Sequence, residues 1–138
     1  RRRAVASGRE AAASEAWLAE LLRDLPARAL PGGGHLVPLQ EGGGPKPELG
    51  DRVELHFHGR LRDGSVFDSS VERGEPAVFP LNGVIKCWTE GVQKLKVGGK
   101  ARLTCPPGIA YGERGAGGVI PPNATLLFEV ELLGIVGR

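Results

Sequence analysis

The side chains of this sequence that could take part in chemistry are mostly aromatic. Three phenylalanines lie in short segments of alternating polarity: Phe57, Phe67 and Phe128. Trp88 lies at the start of a segment with helical periodicity, and Tyr111 lies at the start of a glycine-rich loop. Rings at such positions are typical of a hydrophobic core, and they also line dry binding pockets. The spacing alone favours the core.

Three polar side chains offer other kinds of chemistry. His56 and His58 lie on the same face of a predicted strand, as two ligands of a metal site would,. No further ligand pattern accompanies them, so we interpret them as solvent-facing strand histidines. Asp68 precedes Ser69-Ser70 and is a plausible turn-forming residue,.

The two cysteines, Cys87 and Cys105, are not spaced as zinc ligands, and neither lies in a conventional Cys-His catalytic motif,. Two interpretations remain open, a pair of buried thiols or one disulfide. The second requires an oxidising compartment.

Composition restricts the classes of protein to which the chain can belong. Its 138 residues suffice for one domain with an appendage, and 41% hydrophobic and 25% charged residues are typical of soluble globular proteins,. A net charge of +2 is too small to indicate nucleic-acid binding,. No apolar run approaches the roughly 20 residues of a membrane-spanning helix. The absence of methionine, even at position 1, is typical of a processed or trimmed chain and leaves room for a removed export signal,.

The N-terminal segment predicts an amphipathic helix. Arg1-Arg2-Arg3 indicates a solvated end, and a capping pattern at Ser7 and Glu10 precedes the helix over residues 8–25,. Its apolar stripe consists of Trp17, Leu18, Leu21, Leu22 and Leu25,. This stripe either folds back on the main domain or meets the same helix of a second copy.

Residues 26–47 are dominated by proline and glycine and are interpreted as a linker that contains one short strand at the edge of the next domain,. We place the domain boundary so that residues 1–31 form the helical segment with its linker and residues 32–138 form the main domain.

The main domain alternates between short strands and turns. The clearest strands are 52–58 and the last one, in which Leu126, Phe128, Val130 and Leu132 share one face,. Between them, Trp88, Val92 and Leu95 recur at the spacing of a short helix,. The prediction is an α+β domain whose helix lies across one face of an antiparallel sheet. A long glycine-rich loop, 109–122, carries apolar residues near its end and suggests a lip over a pocket,.

Several motifs, in this order over some 90 residues, resemble those of the FKBP-type peptidyl-prolyl cis-trans isomerases. They are His56-Phe57-His58-Gly59, Asp63-Gly64, Phe67-Asp68-Ser69-Ser70, Val84-Ile85, Trp88-Thr89-Glu90-Gly91, Ala110-Tyr111-Gly112, Ile120-Pro121-Pro122 and the run from Ala124 to Leu133. The resemblance implies a five- or six-stranded antiparallel sheet wrapped around one short helix. The preceding amphipathic helix is similar to that of the macrophage infectivity potentiator (Mip) and FkpA-like subgroup.

The resemblance also implies a site between helix and sheet. Trp88 matches its floor, and its walls are matched by Phe57, Phe67, Val84, Ile85 and Phe128. Tyr111 matches a tyrosine whose hydroxyl binds a ligand carbonyl. Asp68 matches the carboxylate beside that carbonyl, and Arg73 matches the arginine that pairs with this carboxylate. In the family, the main-chain N–H matching Ile85 holds a second carbonyl. Val119 and Ile120 match loop residues that close over the ligand, and Cys87 and Cys105 match facing positions, which favours the disulfide.

Two positions depart from the best-known members of the family. Ala77 stands where many have a phenylalanine, and Ala116 where some have a histidine. We expect a more open pocket on those sides, with a larger effect on bulky macrolide ligands than on isomerase activity. Phe57 replaces a common tyrosine and retains its ring.

Rotation about an Xaa-Pro bond crosses a barrier near 20 kcal/mol and breaks no covalent bond. The implied reaction therefore needs no nucleophile, metal or cofactor, because a dry aromatic pocket favours the twisted, less polar amide. Asp68 and Tyr111 would orient the peptide at the rotating carbonyl.

Two functions follow from the resemblance. The first is a proline isomerase that acts on proline-containing polypeptides during protein folding, is open to macrolides such as rapamycin and FK506, and forms a homodimer through its N-terminal helix. The second is a peptide-binding holdase that uses the same pocket. The subgroup implies a periplasmic or outer-membrane-associated bacterial protein.

Overall fold

The computed structural model describes residues 27–137. It contains a seven-stranded antiparallel sheet in the order β1-β2-β6-β7-β3-β4, with β5 paired to β3 beside β4. The strands are β1 Arg28–Ala29, β2 His35–Gln40, β3 Arg52–Arg60, β4 Val66–Ser69, β5 Ala77–Pro80, β6 Lys100–Cys105 and β7 Leu126–Ile135. The helices are α1 Ser70–Arg73 and α2 Lys86–Val92, with 3-10 turns at Leu81–Gly83 and Pro107–Ile109.

The architecture confirms the predicted antiparallel sheet packed around a short helix, α2, with two differences: a second short helix, α1, follows β4, and the N-terminal edge has other strands than predicted. The predicted count of five or six strands is too low, and the single edge strand assigned to residues 26–47 is wrong. β1 forms the edge, and β2 lies between β1 and β6. A two-residue strand carries no readable alternation, so the sequence could not reveal it. The predicted helix over residues 8–25 lies outside the described residues.

The domain boundary after residue 31 stays a prediction. Within the described residues, β1 pairs with β2, and Leu30 is buried in the same core as the sheet.

The core lies between the sheet and α2. The alternation in the last strand is confirmed, because Leu126, Phe128, Val130 and Leu132 are all buried. Gly91 allows α2 to approach closely, since a Cβ there would lie 2.7 Å from Cδ2 of Leu103. Trp88 therefore rests directly on the inner face of the sheet.

The turn before β4 is closed by a carboxylate. Asp63 accepts hydrogen bonds at Oδ1 from the Ser65 hydroxyl, 2.6 Å away, and from the Ser65 N–H, 2.9 Å away. These bonds lower the pKa of Asp63 below its ordinary value, the Ser65 hydroxyl being the largest cause. The turn fixes the backbone at the start of β4, the strand that carries Phe67 and Asp68.

This turn should weaken in acid. Because the folded-state pKa of Asp63 is depressed, its contribution to stability is present above the unfolded-state pKa and is lost as the pH falls through the folded-state pKa,. Asp63→Asn should therefore reduce the loss of unfolding free energy between about pH 5 and pH 3, measured by urea titration. An unchanged pH profile in the variant would refute this role.

Candidate functional site

Five aromatic rings meet where α2 crosses the inner face of the sheet. The Trp88 ring lies edge-on to three phenylalanine rings, at centroid distances of 5.0 Å to Phe57, 5.2 Å to Phe128 and 5.4 Å to Phe79. Phe67 packs edge-on against Phe128 at 5.6 Å. Edge-to-face packing at these distances is favourable for aromatic rings and holds the cluster in one arrangement.

These rings line a cavity of about 470 Å³, a volume typical of small-ligand sites,. Its remaining lining residues come from β4, from the 3-10 turn and the chain that lead into α2, and from the loop after β6: Asp68, Gly83, Val84, Ile85 and Tyr111. The floor is dry, because Trp88 is only 5% exposed and Phe128 only 3%. Tyr111, at 40% exposed, stands at the mouth.

Trp88 brings an unpaired donor to this cavity. Its indole Nε1 is buried and has no hydrogen-bond partner among residues 27–137. A buried polar group without a partner costs about 1–3 kcal/mol, and such groups are tolerated mainly where they serve a function.

The main chain at Ile85 offers a second donor. Its carbonyl oxygen accepts hydrogen bonds from the N–H groups of Trp88 and Thr89 at the first turn of α2, 3.0 and 3.1 Å away. No hydrogen bond from the Ile85 N–H itself is found within the described chain. The start of α2 can therefore donate to a ligand carbonyl.

Arg73 is placed by α1 and the strand beside it. Ser69 caps α1 by accepting from the Glu72 N–H at 3.1 Å, and Arg73, in the last turn, forms an ion pair with Asp68. The Arg73 guanidinium carbon also lies 5.8 Å from the Phe57 ring centroid, within cation-π range,. The carboxylate of Asp68 is thus held beside the aromatic walls.

The serines of this segment also bind the two predicted strand histidines. His58 Nδ1 lies 2.8 Å from the Ser69 hydroxyl, and His56 Nδ1 lies 3.0 Å from the Ser70 hydroxyl. Both imidazoles are half-buried on the sheet face opposite the cavity. Residues 27–137 contain no group of three metal-ligating side chains.

Most of the predicted site residues line this cavity, but three do not. Val119 is 54% exposed, whereas Ile120 is buried in the core and its N–H donates to the Ala116 carbonyl. Neither lines the cavity in this structure, so closure over a ligand by these residues stays a prediction. Arg73 does not line the cavity either; it contacts two lining residues, through its ion pair with Asp68 and its cation-π contact with Phe57.

Sequence reasoning missed one wall of the cavity. Phe79 lines it and contacts both Trp88 and Phe57, whereas Ala77 is packed against the core two residues earlier. The alternation of Ala77 and Phe79 on one strand face was the signal that could have identified it. The cavity therefore keeps an aromatic wall, Phe79, close to the side where Ala77 has only a small side chain.

The two cysteines lie beneath the floor. Cys87, next to Trp88 on α2, and Cys105, at the end of β6, have their sulfur atoms 2.01 Å apart and their Cα atoms 5.7 Å apart. Both are fully buried. A bond here ties the helix that carries Trp88 to the sheet.

This combination of fold and cavity matches a known family. The model of the FKBP-type peptidyl-prolyl cis-trans isomerase domain matches residues 43–133. The chain belongs to the FKBP family. The FKBP domain accordingly includes every strand from β3 to β6 and most of β7.

Relatives of this FKBP chain are known in bacteria. It is 57% identical over 98 residues to the FKBP-type 22 kDa peptidyl-prolyl cis-trans isomerase of Escherichia coli, covering 71% of this chain and 48% of that protein. It is 50% identical over 97 residues to the peptidyl-prolyl cis-trans isomerase Mip of Coxiella burnetii, covering 70% and 42%. The chain thus spans about half the length of these relatives or less.

A solved structure shows the same fold. The crystal structure of FkpA from Escherichia coli superposes with a TM-score of 0.93 at 36% identity, covering 97% of this chain and 62% of that one. The predicted resemblance to the FKBP family is therefore confirmed.

Proposed function

We propose that this protein is a peptidyl-prolyl cis-trans isomerase that accelerates rotation about Xaa-Pro bonds in polypeptide substrates. The observation that carries this proposal is the dry aromatic cavity, with a tryptophan floor and with Asp68 and Tyr111 at its edge, in an FKBP domain. The names of its relatives support the same activity.

The cavity suits a reaction in which an amide loses its resonance. In the twisted transition state the carbonyl carries less charge than in the planar ground state, so removal from water costs it less. The buried rings of Trp88, Phe57 and Phe128 exclude water from the proline ring. The site therefore favours the transition state without a covalent intermediate or a proton transfer.

Polar groups at the mouth orient the peptide. The Tyr111 hydroxyl and the Ile85 N–H can donate to substrate carbonyls, while Asp68 fixes the electrostatics at the rotating bond and holds Arg73 against the aromatic wall. Such groups act on the geometry of the bound peptide more than on its affinity.

Variants of these polar groups test the proposal. Asp68→Asn and Tyr111→Phe keep side-chain shape and should each lower kcat/KM on a short Xaa-Pro peptide by about tenfold, the loss of one well-placed polar interaction. Protease-coupled or exchange NMR assays measure this change. Glu72→Gln, an exposed carboxylate on α1 outside the cavity, is the matched control and should leave the rate unchanged.

The same variants decide between isomerase and holdase. If the two activities are separable, Asp68→Asn should lower isomerisation while leaving suppression of aggregation of an unfolded test protein intact. Equal loss of both would indicate one shared peptide-binding site. A wild-type rate in both cavity variants would refute the proposed roles of Asp68 and Tyr111.

The cellular location and role of the protein are proposed from its relatives and from its disulfide. We propose a role in the folding of exported proteins in the periplasm or at the outer membrane of a bacterium, because bacterial relatives carry the names FkpA and Mip and a Cys87–Cys105 bond requires an oxidising compartment,. No helix in the described part of the chain is long and apolar enough to cross a membrane. Macrolides such as rapamycin or FK506 are proposed to compete for the cavity. Homodimerisation through the N-terminal segment stays a prediction.

A further inference from the structure

His58 lies on the sheet face opposite the aromatic cavity, yet it is bonded to the segment that carries Asp68. The pairing of β3 with β4 sets His58 opposite Ser69, the residue that follows Asp68 in the chain. Its Nδ1 atom lies 2.8 Å from the Ser69 hydroxyl oxygen. The imidazole is half-buried and does not line the cavity. A contact on the back of the sheet therefore reaches the residue next to a carboxylate of the site.

The Ser69 hydroxyl takes part in two hydrogen bonds. Its oxygen accepts from the Glu72 N–H, 3.1 Å away, and so caps α1. A hydroxyl that accepts one bond still has its own proton to donate, and the His58 nitrogen is the acceptor within reach among the described residues,. His58 must then carry its ring proton on Nε2. With the Ser69 proton directed at His58, a lone pair of the oxygen is left facing the Glu72 N–H.

The helix α1 depends on this cap more than a long helix would. It has four residues, Ser70–Arg73, and so a single turn whose intrinsic stability is low,. Ser70 also anchors it to β3, because its hydroxyl accepts from the Phe57 N–H at 2.8 Å. Loss of the Ser69 cap should therefore loosen the first turn of α1 without detaching the helix from the sheet.

Ser69 stands between the two members of the ion pair at the cavity. Asp68 precedes it directly, and Arg73 lies in the last turn of the helix that it caps. Both side chains of the pair are nearly half exposed, at 46% and 48%. An ion pair in such contact with water contributes little to holding its own geometry. The backbone around Ser69 must therefore set where the Asp68 carboxylate lies.

We propose that His58 is a positioning residue of the isomerase site. By accepting the Ser69 proton it fixes the cap of α1, and the cap holds Arg73 against Asp68 at the edge of the cavity. This inference rests on the proposed isomerase function, in which Asp68 acts on the rotating bond. Because His58 does not line the cavity, its loss should lower kcat and leave KM nearly unchanged,.

Two substitutions of similar shape separate the hydrogen bond from the packing. Asparagine carries its amide oxygen as many bonds from the backbone as Nδ1 and can accept from Ser69, whereas leucine offers no acceptor. On a short Xaa-Pro peptide we expect His58→Leu to lower kcat about fivefold, the effect of one lost hydrogen bond, with KM within about twofold of wild type. His58→Asn should keep nearly the wild-type kcat. Equal rates in the two variants would overturn the positioning role.

The cap itself gives a readout that does not depend on activity. Hydrogen exchange of the Glu72 amide, measured by NMR on the full chain, should be about fivefold faster in His58→Leu than in wild type and unchanged in His58→Asn. Exchange at the same rate in all three proteins would contradict the proposed control of the cap by His58.

Combination with a cavity variant distinguishes positioning through Asp68 from a general loss of structure. Added to Asp68→Asn, His58→Leu should lower kcat by less than about twofold more, because the carboxylate through which it acts is already gone. The full loss in that background would overturn the positioning role alone. A folded wild-type protein without any rate enhancement would refute the isomerase function, and the positioning role with it.

Discussion

Replacement of Gly59 by alanine is expected to lower the isomerase rate by about a hundredfold while leaving the protein folded. Gly59 lies on β3 beneath the aromatic cavity, and a Cβ at this position would stand 2.6 Å from Cζ of Phe67 and 2.9 Å from Cε1 of Phe128. Both contacts are shorter than real Cβ atoms allow, so the two rings must move. Since Phe67 and Phe128 are walls of the site, a displacement of about 1 Å misplaces the bound proline.

Gly59→Ala should lower the free energy of unfolding only moderately. Overpacking by one methyl group typically costs about 1–3 kcal/mol, and partly buried Phe67 has room to shift toward solvent. Gly134→Ala is the matched control, because Gly134 also lies in a strand, β7, and its added Cβ would meet nothing within 4 Å. We expect the control to retain the full rate. A Gly59→Ala variant with wild-type kcat/KM would show that the position of these two rings does not govern catalysis.

Removal of the bond between Cys87 and Cys105 is expected to cost about 3 kcal/mol of unfolding free energy, the chain-entropy value for a loop of this length. The two residues are 18 positions apart and join α2 to β6. In a domain of this size the loss corresponds to a Tm lower by about 10 °C. The measurement is thermal or urea unfolding of the Cys87→Ala/Cys105→Ala double variant.

A reductant separates the bond from the loss of side-chain volume. Wild-type protein in dithiothreitol should lose most of the same unfolding free energy, about 3 kcal/mol. The stability of the double variant should not change with the reductant. Because Cys87 neighbours Trp88, reduction should also broaden the NMR signals of the indole at the cavity floor. Equal stability with and without reductant would contradict a bond in the native protein.

The strands and the helix that build the site were predictable because their patterns are strong. The last strand buries alternate residues from Leu126 to Leu132, and few other structures produce that pattern,. The helix bearing Trp88 was predicted from apolar spacing and is observed over Lys86–Val92; Leu95, the third residue of that face, is buried just beyond its end. Long periodic segments carry enough repeats to be recognised.

Short elements and contacts between distant segments were not predictable in this way. β1 has only two residues, and its existence depends on backbone pairing with β2, which leaves no trace in side-chain polarity. The role of Phe79 depends on how β5 pairs with β3, which directs alternate residues toward Trp88. Such facts depend on which distant strands pair, and a strand of two or four residues carries too short a pattern to specify its partner.

The site itself became recognisable only from the motifs taken together. Asp68 before two serines reads locally as a turn, and indeed Ser69 caps α1, while the same aspartate forms an ion pair with Arg73 at the cavity. The loop residues Val119 and Ile120 show the limit of this inference. One is exposed, the other is buried in the core and neither lines the cavity, so their closure over a ligand stays a prediction.

A dry aromatic cavity should accelerate amide rotation without proton transfer. Exchange NMR on a short Xaa-Pro peptide with the full chain, in the presence and absence of rapamycin and in H₂O and D₂O, tests it most directly. We expect a rate enhancement that the macrolide abolishes and that is nearly the same in the two solvents, because no proton moves in the transition state. Folded protein that gives no enhancement, or an enhancement that falls severalfold in D₂O, would contradict this mechanism.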